Sequence, residues 1–99
     1  MKPFRWNHDK NEQLKAERDI SFEEIVLAVE ADGLLDIVRH SNPGRYPKQR
    51  MFVVAVEEYA YLVPFVEEED YYFLKTIIPS RKATRDYLRK GGPNEAKDI

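Results

Sequence analysis

Three cations carry the strongest chemical suggestion in this chain: Arg50, Lys75 and Arg81. Attack of a 2′-hydroxyl on a phosphodiester gathers extra negative charge on the phosphate oxygens, and fixed cations stabilise that charge. Arginine suits the task best, because its planar fork bonds two oxygens at once. His40 would add proton transfer, since imidazole titrates near neutral pH, and it precedes a loop rich in Pro, Gly and Asn. Arg81 opens a basic stretch in which Arg81, Lys82, Arg85, Arg89 and Lys90 face only Asp86, a local +4 in a chain whose total is −2. Ser80, Lys82, Arg85 and Tyr87 are the expected RNA contacts beside the catalytic set Arg50, Lys75, Arg81 and His40. Each has a plainer reading: Lys75 with its stem along aromatic rings and its ammonium in water, Arg50 as a strand-end charge, His40 as a surface residue.

Other chemistries find less support. His8 and His40 are not at metal-ligand spacing and no HExxH occurs, so no metal is expected. The run Glu67, Glu68, Glu69 and Asp70 lacks the spacing and glycine of a calcium loop and reads as a solvated turn. Glu23 and Glu24 read as capping and surface residues. Tyr46, Tyr59, Tyr71 and Tyr87 are the rings worth testing as base-stacking platforms. No GxGxxG, GxxxxGK or GxSxG is present, so no cofactor is expected. There is no cysteine, hence no disulfide and no thiolate nucleophile.

The elements must position these groups. Ninety-nine residues, 42% hydrophobic and 34% charged, make one domain with a modest core. The expected domain is 1–90, with 91–99 a flexible tail. No apolar run approaches the roughly 20 residues of a membrane span, and a cytoplasmic protein with no membrane contact is expected. Residues 1–32 carry five cations against eight anions, net −3. That acidity opposes indiscriminate nucleic-acid binding and offers surface to a basic partner.

Phe4-Arg5-Trp6 is expected to be extended, covering an edge of the core. Asn7 or Asp9 caps a helix from about Asp9 to Arg18. Ser21 with Glu24 forms a capping box for a helix from Phe22 to about Ala31, whose Phe22, Ile25, Val26 and Val29 recur at helical spacing. Asp32-Gly33 ends it. Strands are expected over Leu34–His40, Arg50–Val56, Tyr59–Val66 and Tyr71–Ile78. The first would place Leu34, Asp36, Val38 and His40 on one face; the last would place Tyr71, Phe73, Lys75 and Ile77 on one face. Glu57-Glu58 is poor chemistry for a two-residue turn, so a distorted or longer one is expected. Pro64 suggests an edge or a bulge. Ser80 caps a helix over Lys82–Lys90, stopped by Gly91-Gly92-Pro93. The short spacings predict an α+β fold, with a mainly antiparallel sheet and the helices on one face.

Phe4-x-Trp6 with Lys10, then Ile20-Ser21-Phe22-Glu23-Glu24, then Arg50 leading into a hydrophobic strand, then Ile77-Ile78-Pro79-Ser80-Arg81-Lys82-Ala83-Thr84-Arg85 together resemble the BrnT family over about residues 4 to 88. These are small toxins of type II toxin–antitoxin pairs. The resemblance implies a RelE-like fold: two N-terminal helices, a four-stranded antiparallel sheet and a C-terminal helix. It implies an RNA endonuclease, free or on the ribosome, that inhibits translation. It also implies a cognate antitoxin with a ribbon-helix-helix region, through which the pair would reach operator DNA. Thr76 and Pro79 stand where the family has a basic residue and a serine. The alternative is a catalytically weak or inactive toxin-like binding module, acting through a protein partner or as a co-repressor.

Overall fold

The computed structural model describes residues 1–39, 42, 44, 45 and 49–89. The expectations for His40, Tyr46, Lys90 and the tail 91–99 lie outside them.

Strand β1 (Phe4–Trp6) leads into helix α1 (His8–Arg18), whose N-terminus is capped by Asn7 accepting from the Lys10 amide at 2.9 Å. Helix α2 (Phe22–Glu30) starts where the Ser21 hydroxyl accepts from the Glu24 amide at 3.1 Å. The Glu24 carboxylate does not reach back to Ser21, so the expected capping box is a one-sided cap. Asn11, buried on α1, joins the two helices: its oxygen accepts from the Phe22 amide and its amide donates to Glu23, each at 2.8 Å. At the end of α2, Gly33 N–H bonds Ala28 O and Asp32 N–H bonds Val29 O, with Asp32 left-handed at φ 68°. That is a Schellman stop with aspartate in the slot glycine usually fills. The glycine is needed one residue later, where a Cβ would lie 2.7 Å from Ala28 O and 2.8 Å from Ala55 O.

The sheet runs β1-β5-β4-β3-β2, with β2 Leu34–Arg39, β3 Gln49–Val56, β4 Tyr59–Glu67 and β5 Tyr72–Leu74. A two-residue β6 (Ile78–Pro79) also pairs with β4. The fold is α+β, as expected, but the sheet is mixed and larger than four strands: β1 joins β5 in parallel, while β2 to β5 are antiparallel neighbours. The expected strand Tyr71–Ile78 is two pieces. Lys75 N–H donates to Pro64 O, and Pro64 has no N–H to return, so the ladder lapses there. Pro64 thus sits inside β4, with its missing donor facing the gap between β5 and β6. Val56 pairs directly with Tyr59, and Glu57 and Glu58 both have positive φ (52° and 68°), so the turn is tight rather than distorted or longer.

The pleat sorts the core into two layers. On the first face Phe52, Val54, Val63, Phe65, Leu74 and Ile77 pack with Leu14, Ile20, Phe22 and Ile25 of the helical pair. Phe52 and Phe65 stack at 3.8 Å. Each such fully buried side chain stabilises the fold by about 1.5–3 kcal/mol. On the second face Val53 and Ala60 pack with Ala83 and Leu88. The C-terminal helix therefore lies opposite α1 and α2, not on a shared face. A bulge between Leu34 and Asp36 turns Leu35, Asp36 and Val38 to that second face and leaves Leu34 on the first, against the simple alternation expected. Ile77 likewise parts from Phe73, since it is buried in the first core.

The last helix begins as α3 (Arg81–Ala83), capped by Ser80, and continues as a π-helical segment over Thr84–Arg89 instead of the α-helix expected from Lys82. At the junction the Thr84 hydroxyl and amide both donate to Ser80 O, and the hydroxyl accepts from the Ala60 amide at 2.8 Å. Side-chain bonding to the carbonyl four residues back bends helices, and wide turns mark such places.

Candidate functional site

Arg50 stands on the first face, across β3 and β4 from Phe65 and across β2 and β3 from Arg39. Its guanidinium lies 5.2 Å from the Phe65 ring centre and is ion-paired with Glu67. Glu67 also accepts from the Lys2 ammonium at 2.8 Å. That hydrogen bond, with the charges of Lys2 and Arg50, holds the Glu67 carboxyl below its usual range.

The remaining predicted cations stand on the other side. The Lys75 ammonium lies 5.4 Å from the ring of Phe73, which alternates with first-face Leu74. Arg81 is exposed at the start of α3 and makes no ion pair or hydrogen bond with the described residues. Lys82 and Arg85 both bond Asp86, at 3.0 and 3.4 Å, and the Lys82 hydrogen bond leads in lowering the Asp86 pKa. Ser80 spends its hydroxyl on the Ala83 amide. Tyr87 donates to Asp36, which pushes the phenol pKa up.

The structure therefore gathers Ser80, Arg81, Lys82, Arg85 and Tyr87 on one helix and does not bring Arg50 to them. The Ser80 amide bonds Ala60 O, whereas Arg50 pairs with Phe65, five residues further along β4. That is about 16 Å of strand, with the sheet's thickness added. No contact among the described residues links the two guanidiniums. Arg50 therefore lies on the first face, Lys75 and Arg81 on the second, and His40 lies outside the described residues.

A concavity lies elsewhere on the molecule. It is a groove of about 850 Å³ on the first face, between the ends of α1 and α2 and the β3–β4 hairpin. Leu27, 65% exposed, and Ala28 form the α2 wall. Val56, Tyr59 and Tyr61 form the strand wall, the two rings meeting edge to face at 5.5 Å. Asp19, Glu24 and Glu57 rim it, and none has an ion pair or a side-chain hydrogen bond with the described residues. Among the described lining residues the one cation is Arg18, which is turned to Ile77 O at 2.6 Å. Burial first, then the carboxylates of Glu24, Glu57 and Asp19 together with Tyr59, push the Tyr61 phenol up.

Sequence reasoning assigned Glu24 to a cap and did not single out Leu27, Tyr61 or Glu57 as a group. Leu27 lies on α2, Glu57 in the turn and Tyr61 on β4, and only the tight turn and the Gly33 contact bring the hairpin to α2. Among the described residues no group of His, Asp and Glu is placed to hold a metal ion, and no helix is long and apolar enough to cross a membrane. Comparison with protein-family models, with curated proteins and with solved structures finds no match to this chain.

Proposed function

We propose that this chain is a toxin-like protein-binding module of a two-protein pair, neutralised by or acting with a small antitoxin of the ribbon-helix-helix kind in the cytoplasm, and weak or inactive as a nuclease. The observation that carries the reading is the sheet standing between Arg50 and the pair Lys75 and Arg81, with Arg50 already committed to Glu67. The run of two helices, antiparallel strands β2 to β5 and a closing helix supports a RelE-like ancestry. The residues of the BrnT resemblance support the partner class. The acidic, partly apolar groove suits a polypeptide better than a phosphate backbone.

The test is expression alone and together with the adjacent small gene. Expected are intact cellular RNA, no growth arrest, and a complex that survives size-exclusion chromatography. RNA breakdown by the chain alone, abolished by Arg81→Ala with folding intact, would overturn this reading in favour of the second one. That second reading is an RNA endonuclease working from the second face through Arg81, Lys75, Lys82 and Arg85. Its support is the exposed Arg81 guanidinium, which no described residue engages.

A further inference from the structure

We propose that the groove between α2 and the β3–β4 hairpin seats a basic, amphipathic segment of the protein partner, one arginine or lysine lying against Tyr59 and Tyr61 and a neighbouring apolar side chain lying against Leu27, Ala28 and Val56. The inference rests on the protein-binding reading above and adds the chemistry of the partner.

Charge complementarity selects the occupant. Three of the sixteen described carboxylates meet cations: Glu67 meets Lys2 and Arg50, Asp86 meets Lys82 and Arg85, and Glu12 meets Lys15. Asp19, Glu24 and Glu57 meet none, yet they surround one concavity. Three carboxylates against the Arg18 guanidinium leave a net negative charge over low-dielectric walls, and that potential draws a cation and repels phosphate. The rings supply what a carboxylate rim alone lacks. A guanidinium or ammonium over a tyrosine face is worth about 0.5–1 kcal/mol at an exposed site and more when desolvated. Tyr59 and Tyr61 both line the groove, edge to face with one another and beside the acids.

Leu27 explains why the ligand is a polypeptide and not a free cation. It is the most exposed large apolar side chain within any described helix or strand, and it stands with Ala28 on the α2 wall, across the groove from Val56 and the tyrosines. A helix carrying arginine and leucine at neighbouring turns covers both patches at once. Gly33 holds the end of α2 against Ala55 with no room for a Cβ, and its carbonyl accepts from the Ala55 amide, so the two walls are joined at that end.

The probe is a synthetic amphipathic peptide with arginine and leucine at helical spacing, and its control carries glutamate for each arginine. Amide shifts are followed by NMR on the intact chain. The expected result is a titration confined to Leu27, Ala28, Val56, Tyr59 and Tyr61, weakened by salt, and silent with the control. The double variant Glu24→Lys with Glu57→Lys should weaken binding about tenfold or more, since like charges then face the peptide. Leu27→Gln, at an exposed position, should weaken it with the melting curve unchanged. Shifts centred elsewhere, binding within twofold of wild type in the double variant, or the same signals moving with single-stranded RNA would each overturn the proposal. The adjacent gene's product separates the two levels. A complex indifferent to these substitutions ends this inference alone, while a peptide seated in the groove with no such complex ends the antitoxin pairing alone.

Discussion

Thr84 shows how much one buried hydroxyl can settle. It is 1% exposed, donates to Ser80 O and accepts from the Ala60 amide, tying the last helix to β4. Thr84→Val keeps the shape but leaves the Ala60 N–H unpaired in the core. The expected loss is about 1–3 kcal/mol, read as a clear fall in the midpoint of a thermal melt. A melt unchanged by the substitution would show that the hydroxyl is idle. Glu67 sets a pH dependence at the same scale. Its pKa in the folded chain lies below the ordinary 4.5, first through the Lys2 hydrogen bond. Its stabilising contribution is therefore present above that ordinary value and is lost as pH falls through the lowered one. Lys2→Met should raise the Glu67 carboxyl titration measured by NMR and blunt the acid sensitivity of the fold. Neither residue announced its role in the sequence. Thr84 stood inside a basic stretch, and Glu67 opened an acidic run that read as solvent-facing.

Among the elements, the β3–β4 turn is the least expected. Both glutamates occupy left-handed backbone, where a two-residue turn favours Asn-Gly. Replacing Glu57 by Asn and Glu58 by Gly is expected to stabilise the hairpin by about 1–2 kcal/mol, measured by chemical denaturation. The same pair should weaken the basic peptide, because Glu57 leaves the groove rim. Stability that falls would mean the glutamates hold the turn by contacts of their own. Caps made α1 and α2 legible, since Asn7 and Ser21 act locally and their partners lie within three residues. The last strand was not legible as two pieces, because its break depends on Pro64, which belongs to another strand. The π-helical segment was hidden for the same reason: its junction is set by a bond from Ala60. Local chemistry is written in a short window of sequence, whereas a pairing partner is not.

At the scale of the molecule, the mixed sheet divides the cations that composition had grouped. Whether Arg50 shares a side with Lys75 depends on register, and register exists only once strands have paired. That is why the α+β class could be read and the convergence could not. The separation is measurable. In a double-mutant cycle on RNA affinity, Arg50→Ala and Arg81→Ala should add within about 0.5 kcal/mol, as distant sites do. A coupling several times larger would place both guanidiniums on one ligand.

The parallel pairing of β1 with β5 matches Phe4 with Tyr72. During synthesis β1 leaves the ribosome long before β5 exists, so Phe4 and Trp6 must wait, solvent-facing, for nearly the whole domain to emerge. The outermost strand can then close only once β5 has emerged, with β6 and the last helix still to follow, and a nascent chain halted before Tyr72 would leave that apolar edge unpaired and prone to aggregate.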